Sequence, residues 1–339
     1  MTWLLLALVG CSGDSDTGQA AVALTLDAGP DVAVQLGRTV TLQASGEGAM
    51  AYTWTLGDGT VLEGQQVEHR YDEPGNYGVV LQASAASGET RTDSLVVTAF
   101  PAPAAVRPKT STTLAVDEVR GFAWSVIDET DALMRVDLDT GEVQQALSCD
   151  SPRTVSLDSG VVWVPCEGED AVYAVDMQSL GLSARYELEP GCRPYGVVAR
   201  DNEAWVSCQG TGRLARLRRG ASPPITVFDV GPDPRAVALL SNGEVWASRF
   251  RGDVTGRIYR QGSSDLTLAR SYEQDSDTRS RGVPVLLQSF AVTPDGEHVV
   301  VGGQLSNTDR GRWRDGQDLT FETTVRGMTR GLTRRGRSG

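Results

Sequence analysis

The stretch Pro152-Arg-Thr-Val-Ser-Leu-Asp-Ser-Gly160-Val-Val-Trp163-Val-Pro-Cys166 carries the pattern that decides the fold. It reads as a strand, a turn at Asp-Ser-Gly and a second strand with an indole at its centre. The same order returns as Pro194-Tyr-Gly-Val-Val-Ala, a turn and Trp205, then as Pro234-Arg-Ala-Val-Ala-Leu, a turn and Trp246. The proline stands 11, 11 and 12 residues before its tryptophan. With Trp124, the indoles are spaced 39, 42 and 41 residues apart. A period of about 40 residues marks a stacked or radial repeat, usually a propeller blade.

Each unit carries further shared features. The third strand ends 13 residues after the tryptophan, at Asp137 in Arg-Val-Asp-Leu-Asp-Thr-Gly141 and at Asp176 in Ala-Val-Asp-Met-Gln-Ser-Leu-Gly181. A fifth unit, Ser289–Gly296 and then Glu297–Gly303, keeps the pattern with Val300 in place of tryptophan. It follows a polar, charged insertion at 271–287. This combination (Pro-Arg-x-Val, turn, Val-Trp-Val, then Val-Asp-x-x-Thr-Gly) resembles the bacterial propeller repeats of the YVTN and NHL-like kind. The resemblance implies a β-propeller over 112–305 with about five recognisable blades, where relatives commonly close with seven. It says little of activity, because this fold hosts both enzymes and binding platforms.

Four cysteines test the repeat. Cys149 and Cys166 are 17 residues apart, Cys192 and Cys208 are 16 apart, and each pair falls in one of two successive blades. In both, one cysteine opens the proline-containing strand and the other closes the tryptophan strand. An antiparallel hairpin brings those ends together, so the bridges Cys149–Cys166 and Cys192–Cys208 are expected. Disulfides need an oxidising compartment, which agrees with export. No pair has the short gap usual in structural zinc sites.

Residues 23–99 alternate as short strands: Val32-Val34-Leu36, Val40-Leu42, Tyr52-Trp54-Leu56, Val79-Leu81 and Leu95-Val97. Glycine-rich turns separate them, as expected of an immunoglobulin-like β-sandwich. The strings Ala28-Gly-Pro-Asp31, Tyr52-Thr-Trp-Thr-Leu-Gly-Asp-Gly59 and His69-Arg-Tyr-Asp-Glu-Pro-Gly-Asn-Tyr77 look like a PKD domain. Thr55 and Leu56 stand where that pattern carries Asp and Phe. The fold class is therefore all-β: an immunoglobulin-like sandwich of PKD type followed by a β-propeller, complete or incomplete. Residues 100–111, with Pro101, Pro103 and Pro108, read as a semi-rigid linker.

The first residues run Met-Thr-Trp-Leu-Leu-Leu-Ala-Leu-Val-Gly-Cys11. The apolar run Trp3–Val9 is too short to span a bilayer as a helix and fits the core of a secretory signal. Leu8-Val9-Gly10-Cys11 resembles a bacterial lipobox, although no Lys or Arg precedes the run. The resemblance implies a signal peptide at 1–10 and lipidation of Cys11. Residues 11–22 then form a flexible tether, and Ser12 fits the pattern sorted to an outer membrane. Residues 306–339 read as an arginine-rich tail with structure expected only around Leu319–Val325. Two readings of it stay open: a surface for anionic lipid, or the remnant of a longer product. Arg314–Val325 is similar to linkers that join such propellers to di-haem peroxidase modules, but no Cys-x-x-Cys-His follows.

The formal charge of −13 repels nucleic acid, so no nucleic-acid partner is expected. Two distant histidines, His69 and His298, leave little material for a metal site or a general base. No metalloprotease, nucleophile-elbow or phosphate-loop motif is present. No catalytic residue, metal or cofactor is assigned. The residue after each repeat proline faces the mouth of a propeller, which gives Arg153, Tyr195 and Arg235, with Arg193 adjacent and Arg249 and Arg251 near the same rim. Guanidinium groups around a phenol suit an anionic or sugar ligand; they serve equally to bond neighbouring blades. The expected protein is exported, lipid-anchored and a platform for a glycan, an anion or an envelope protein. The alternative is an enzyme-associated propeller, lactonase-like or part of a di-haem peroxidase.

Overall fold

The computed structural model describes residues 23–251, 256–268, 282–306 and 325–333. The readings made for the signal, for Cys11 and its tether, and for Arg314–Val325 other than Val325 lie outside these residues. The chain divides into two compact units, Met1–Ala102 and Pro103–Gly339. Among the described residues no helix is long and apolar enough to cross a membrane.

The first unit is a sandwich of β1 (Val32–Gln35), β2 (Val40–Gln43), β3 (Ala49–Thr55), β4 (Val61–Glu63), β5 (Gln66–His69), β6 (Gly75–Ala85) and β7 (Thr90–Phe100). One sheet runs β1-β7-β6-β3-β4, and β2 pairs with β5 in the other. Alternation puts Val79, Leu81, Leu95 and Val97 inside, with Trp54 and Tyr71 at the centre of the core. The Trp54 indole donates to the Gly64 carbonyl at 3.0 Å, and the Tyr71 hydroxyl to Leu56 at 2.9 Å, so both polar tips are satisfied. Gly57 has a φ of +81°, and a Cβ there would lie 2.8 Å from the Gly78 carbonyl oxygen. Only glycine fits that turn. His69 sits 2.7 Å from the Asp58 carboxylate and edge-on to Tyr71, a turn and packing role.

The second unit begins with β8 (Lys109–Thr110). Blade one is β9 (Leu114–Asp117), β10 (Phe122–Ile127), β11 (Ala132–Asp137) and β12 (Val143–Ser148). Blade two is β13 (Ser156–Asp158), β14 (Val161–Cys166), β15 (Ala171–Asp176) and β16 (Leu182–Glu187). Blade three is β17 (Pro194–Arg200), β18 (Glu203–Cys208), β19 (Arg213–Arg218) and β20 (Ile225–Asp229). Blade four is β21 (Pro234–Leu239), β22 (Val245–Arg249), β23 (Gly256–Arg260) and β24 (Leu266–Leu268). A fifth sheet holds β25 (Val283–Val292), β26 (His298–Ser306) and β27 (Val325–Thr333). Every blade is an antiparallel meander in chain order.

The four repeat tryptophans sit in equivalent places. Each lies mid-way along a blade's second strand and fills the seam with the next blade. Trp124 packs on Val162 and Val164 of blade two. Trp163 packs on Val197 and Val206 of blade three. Trp205 meets Val237 and Ala247 of blade four, and Trp246 meets Phe290 and Val301 of the fifth sheet. Arg135, Arg216 and Arg260 lie opposite Trp124, Trp205 and Trp246 on the third strand and stack over them at 6.0, 5.3 and 5.6 Å. In blade two Ala174 takes that place, and Tyr186 stacks on Trp163 instead.

Both expected disulfides are formed, with Cα separations of 5.7 Å for Cys149–Cys166 and 4.5 Å for Cys192–Cys208. Two readings of the sequence need revision. Of the segment taken as linker, Phe100 ends β7, while Lys109 and Thr110 form β8 and pair with Leu239 and Ala238 of β21. Of the segment taken as tail, Val325–Thr333 is a strand paired along its length with β26. Leu332 and Met328 face blade four beside Val299 and Val301, which holds the strand in place. Similarly, Val283–Leu287, placed in the insertion, opens β25.

Two results are expected from this packing. Trp163→Ala leaves an indole-sized void in a closed seam and lowers propeller stability by about 3–5 kcal/mol. Denaturant unfolding read separately for the two units should move only the propeller transition. Replacing Cys192 and Cys208 together by serine lowers it by about 3 kcal/mol, the value for a loop of this length.

Candidate functional site

Pro152, Pro194 and Pro234 face Cys166, Cys208 and Arg249 across the hairpins. Just beyond the proline, the ladder skips between Pro194 and Val197 and between Pro234 and Val237. These bulges re-aim the side chains that follow. Gly196 lies in one of them, where a Cβ would stand 2.2 Å from the Arg235 carbonyl oxygen. The bulged backbone is sealed by side chains. The Ser207 hydroxyl accepts from Gly196 N–H at 2.8 Å and donates to Arg235 C=O at 2.6 Å. Ser248 repeats this one blade on, with Ala236 at 3.0 Å and Leu287 at 2.9 Å. Thr154 bridges blades two and three through Tyr195 C=O at 2.7 Å.

The bulges turn Tyr195 and Arg235 toward Arg153 and Arg193 at one end of the propeller. Their organiser is Glu167, a carboxylate only 6% exposed. Both Arg153 and Arg193 donate to it, as does the Gln209 amide at 2.9 Å. Arg153 also reaches Asp128 of blade one. Burial pulls the Arg153 guanidinium down, but Glu167 and Asp128 outweigh it and hold it above the ordinary arginine range. Arg235 donates from Nε to Gln209 at 3.1 Å, and its guanidinium lies 3.4 Å over Phe250 and 4.9 Å over Tyr195. Arg251 is largely exposed and bonds Asp233 at 3.3 Å.

Arg249 does not join this group. It is almost buried, donating to Val230 C=O and to Asp265, each at 2.7 Å. It stands in register where blades two and three have their second cysteine, and it ties blade four to the last strand of blade three. The sequence reading also left out Glu167 and Gln209. Each directly follows the cysteine that closes the tryptophan strand, so superposing the repeats on Cys166 and Cys208 would have put both at the mouth.

A pocket of about 700 Å³ opens beside this network, between blades three and four. Its walls include Arg193, Gln209, Thr211, Asp233, Arg235 and Arg251, with the backbone of Gly210, Gly212 and Gly231. The axis itself is filled. β8 and the residues after it run between the first strands of blades two, three and four. Lys109 donates from Nζ to Leu157 C=O and Ala199 C=O, each at 2.6 Å. Ser111 exchanges hydrogen bonds with Val237, and Thr112 pairs with Val155. Burial pulls the Lys109 ammonium below the usual lysine range, with Asp158 opposing. Among the described residues no three His, Cys, Asp or Glu side chains gather as they would around a metal ion.

The architecture is that of a PKD-type sandwich followed by a β-propeller. Residues 22–99 match the model of the PKD domain. Among solved structures, the hydrazine synthase of Kuenenia stuttgartiensis is similar at 14% identity and a TM-score of 0.54, over 64% of this chain and 62% of that one. The chain thus spans less than two thirds of that relative's length. Virginiamycin B lyase from Staphylococcus aureus, in its complex with quinupristin, is 13% identical with a TM-score of 0.42, over 82% and 96% of the two chains. An auxiliary nutrient binding protein from Bacteroides ovatus is 10% identical with a TM-score of 0.40, over 88% and 96%. Likeness at these identities speaks for fold alone. No curated protein sequence matches the chain.

Removing the organiser should loosen the whole mouth. Glu167→Leu removes the acceptor of Arg153 Nε, Arg193 and the Gln209 amide and costs about 3 kcal/mol, the low end for a broken buried pair because Arg153 keeps Asp128 and Arg193 is largely exposed. Thermal melting should report it, with the unit carrying the PKD domain unaffected.

Proposed function

We propose that this protein is an exported, lipid-anchored cell-envelope protein whose propeller is a binding platform. The mouth carries this reading. Arg153, Arg193 and Arg235 are held by Glu167 and Gln209 before any ligand arrives, beside an open pocket with polar side chains in its wall. Pre-organised donors of this kind lower the cost of binding. The two disulfides fit an oxidising compartment. Leu8-Val9-Gly10-Cys11 supplies the anchor, and Ser12 favours the outer membrane.

Metabolic labelling with an alkynyl palmitate tests the anchor. The full chain should take up label and fractionate with membranes, and Cys11→Ser should abolish both. Glycan-array and pull-down screens with the full chain test the platform. Silence in both screens would overturn the binding role, and unlabelled full chain would overturn the anchor.

A further inference from the structure

Arg235 differs from Arg153, Arg193 and Arg249 in its engagement, and from the exposed Arg251 in being packed against two rings. The forks of Arg153 and Arg193 are engaged by Glu167, and Arg249 is spent on Val230 and Asp265. Arg235 uses only Nε, on Gln209 at 3.1 Å and more distantly on Asp233 at 3.8 Å. Its terminal nitrogens, Nη1 and Nη2, have no protein acceptor among the described residues. Even so, the group is held from several sides. Phe250 lies under the guanidinium at 3.4 Å, Tyr195 lies beside it at 4.9 Å, and Gln209 is itself fixed by Glu167 at 2.9 Å. A planar fork held against rings, on a residue that lines a pocket, suits a carboxylate received through two parallel hydrogen bonds.

The rest of the pocket narrows the ligand. Its side chains are Gln209, Thr211, Asp229, Asp233 and the arginines, with Pro232 as the one apolar group. Gly210, Gly212 and Gly231 bring bare backbone to the wall. Such a lining offers hydrogen-bond acceptors and donors for hydroxyl groups, with apolar surface between them for the face of a ring. Asp229 and Asp233 disfavour a ligand of high negative charge, for the field around Arg235 is nearly balanced. A single carboxylate on a polyhydroxylated ring satisfies both halves.

We propose that the groove between blades three and four binds a sugar acid of the hexuronate type, with Arg235 taking its carboxylate. The inference rests on the platform reading above and names its ligand class. Isothermal titration of the full chain with D-galacturonate and its oligomers, D-galactose, glutamate and inorganic phosphate tests it. The uronate should bind, and D-galactose should bind at least about tenfold more weakly. Arg235→Gln should weaken uronate binding about 10- to 100-fold, the loss of one charge-assisted pair, with the melting temperature retained. Arg235→Lys keeps the charge and the stem but loses the fork, and should fall between the two, which covers the case of a glutamine variant that does not fold. Equal affinity for D-galactose, an unchanged affinity in either variant, or preference for glutamate or phosphate would overturn the proposal. Capture of a neutral glycan or an envelope protein, with no uronate bound, would remove the ligand class and leave the platform standing. No binding of any of these would remove both.

Discussion

The propeller depends on the seam between successive blades. A four-stranded sheet is apolar on both faces here and cannot be stable in water alone. What closes each seam is one indole from the second strand, pressed on small and β-branched side chains of the next blade. Valine and alanine on the facing strand leave the space that the ring fills. The spacing of the seams then fixes the period of the sequence. Everything at the mouth is carried on strand ends that these seams hold in register.

The mouth itself illustrates how a charged group can be kept under cover. Glu167 is buried, and a carboxylate buried without partners is costly. Two guanidinium groups and an amide surround it, drawn from blades two and three. The bulges after Pro194 and Pro234 turn Tyr195 and Arg235 toward the same place. Ser207 and Ser248 satisfy the backbone groups that the bulges free. The polar network thus links the blades at one end, while the indoles link them through the middle. The disulfides close immediately before Glu167 and Gln209, so the covalent staples and the ionic centre reinforce the same strand ends.

Much of this was legible in the residues. The tryptophan period, the cysteine spacing and the Gly57–Gly59 turn are local signals, and each led to the observed element. The mouth was legible in part. Arg153, Tyr195 and Arg235 followed from their place after the proline, but Arg249 did not, because its partner Asp265 belongs to a turn whose distance in space no pattern revealed. β27 was hidden by glycines that alternate with Arg326, Met328, Arg330 and Leu332, which blur the apolar face. β8 left no signal at all. Lys109, Thr110 and Ser111 follow a proline-rich run, and their partners lie from 48 residues (Lys109 to Leu157) to 130 residues (Lys109 to Leu239) further along. Long-range pairing of that kind is decided by the assembled ring, which local propensity does not see.

The axial position of β8 also bears on where the two modules part. The point at which the chain leaves the sandwich comes well before the first blade, yet the intervening residues are not spare. Ser111 and Thr112 satisfy backbone groups of blades four and two, and Lys109 caps two carbonyls of blades two and three. A fragment starting at the first blade would therefore bare the inner edge of β21 and free backbone groups on the first strands of blades two and three. The apparent spacer is thus a structural part of the propeller.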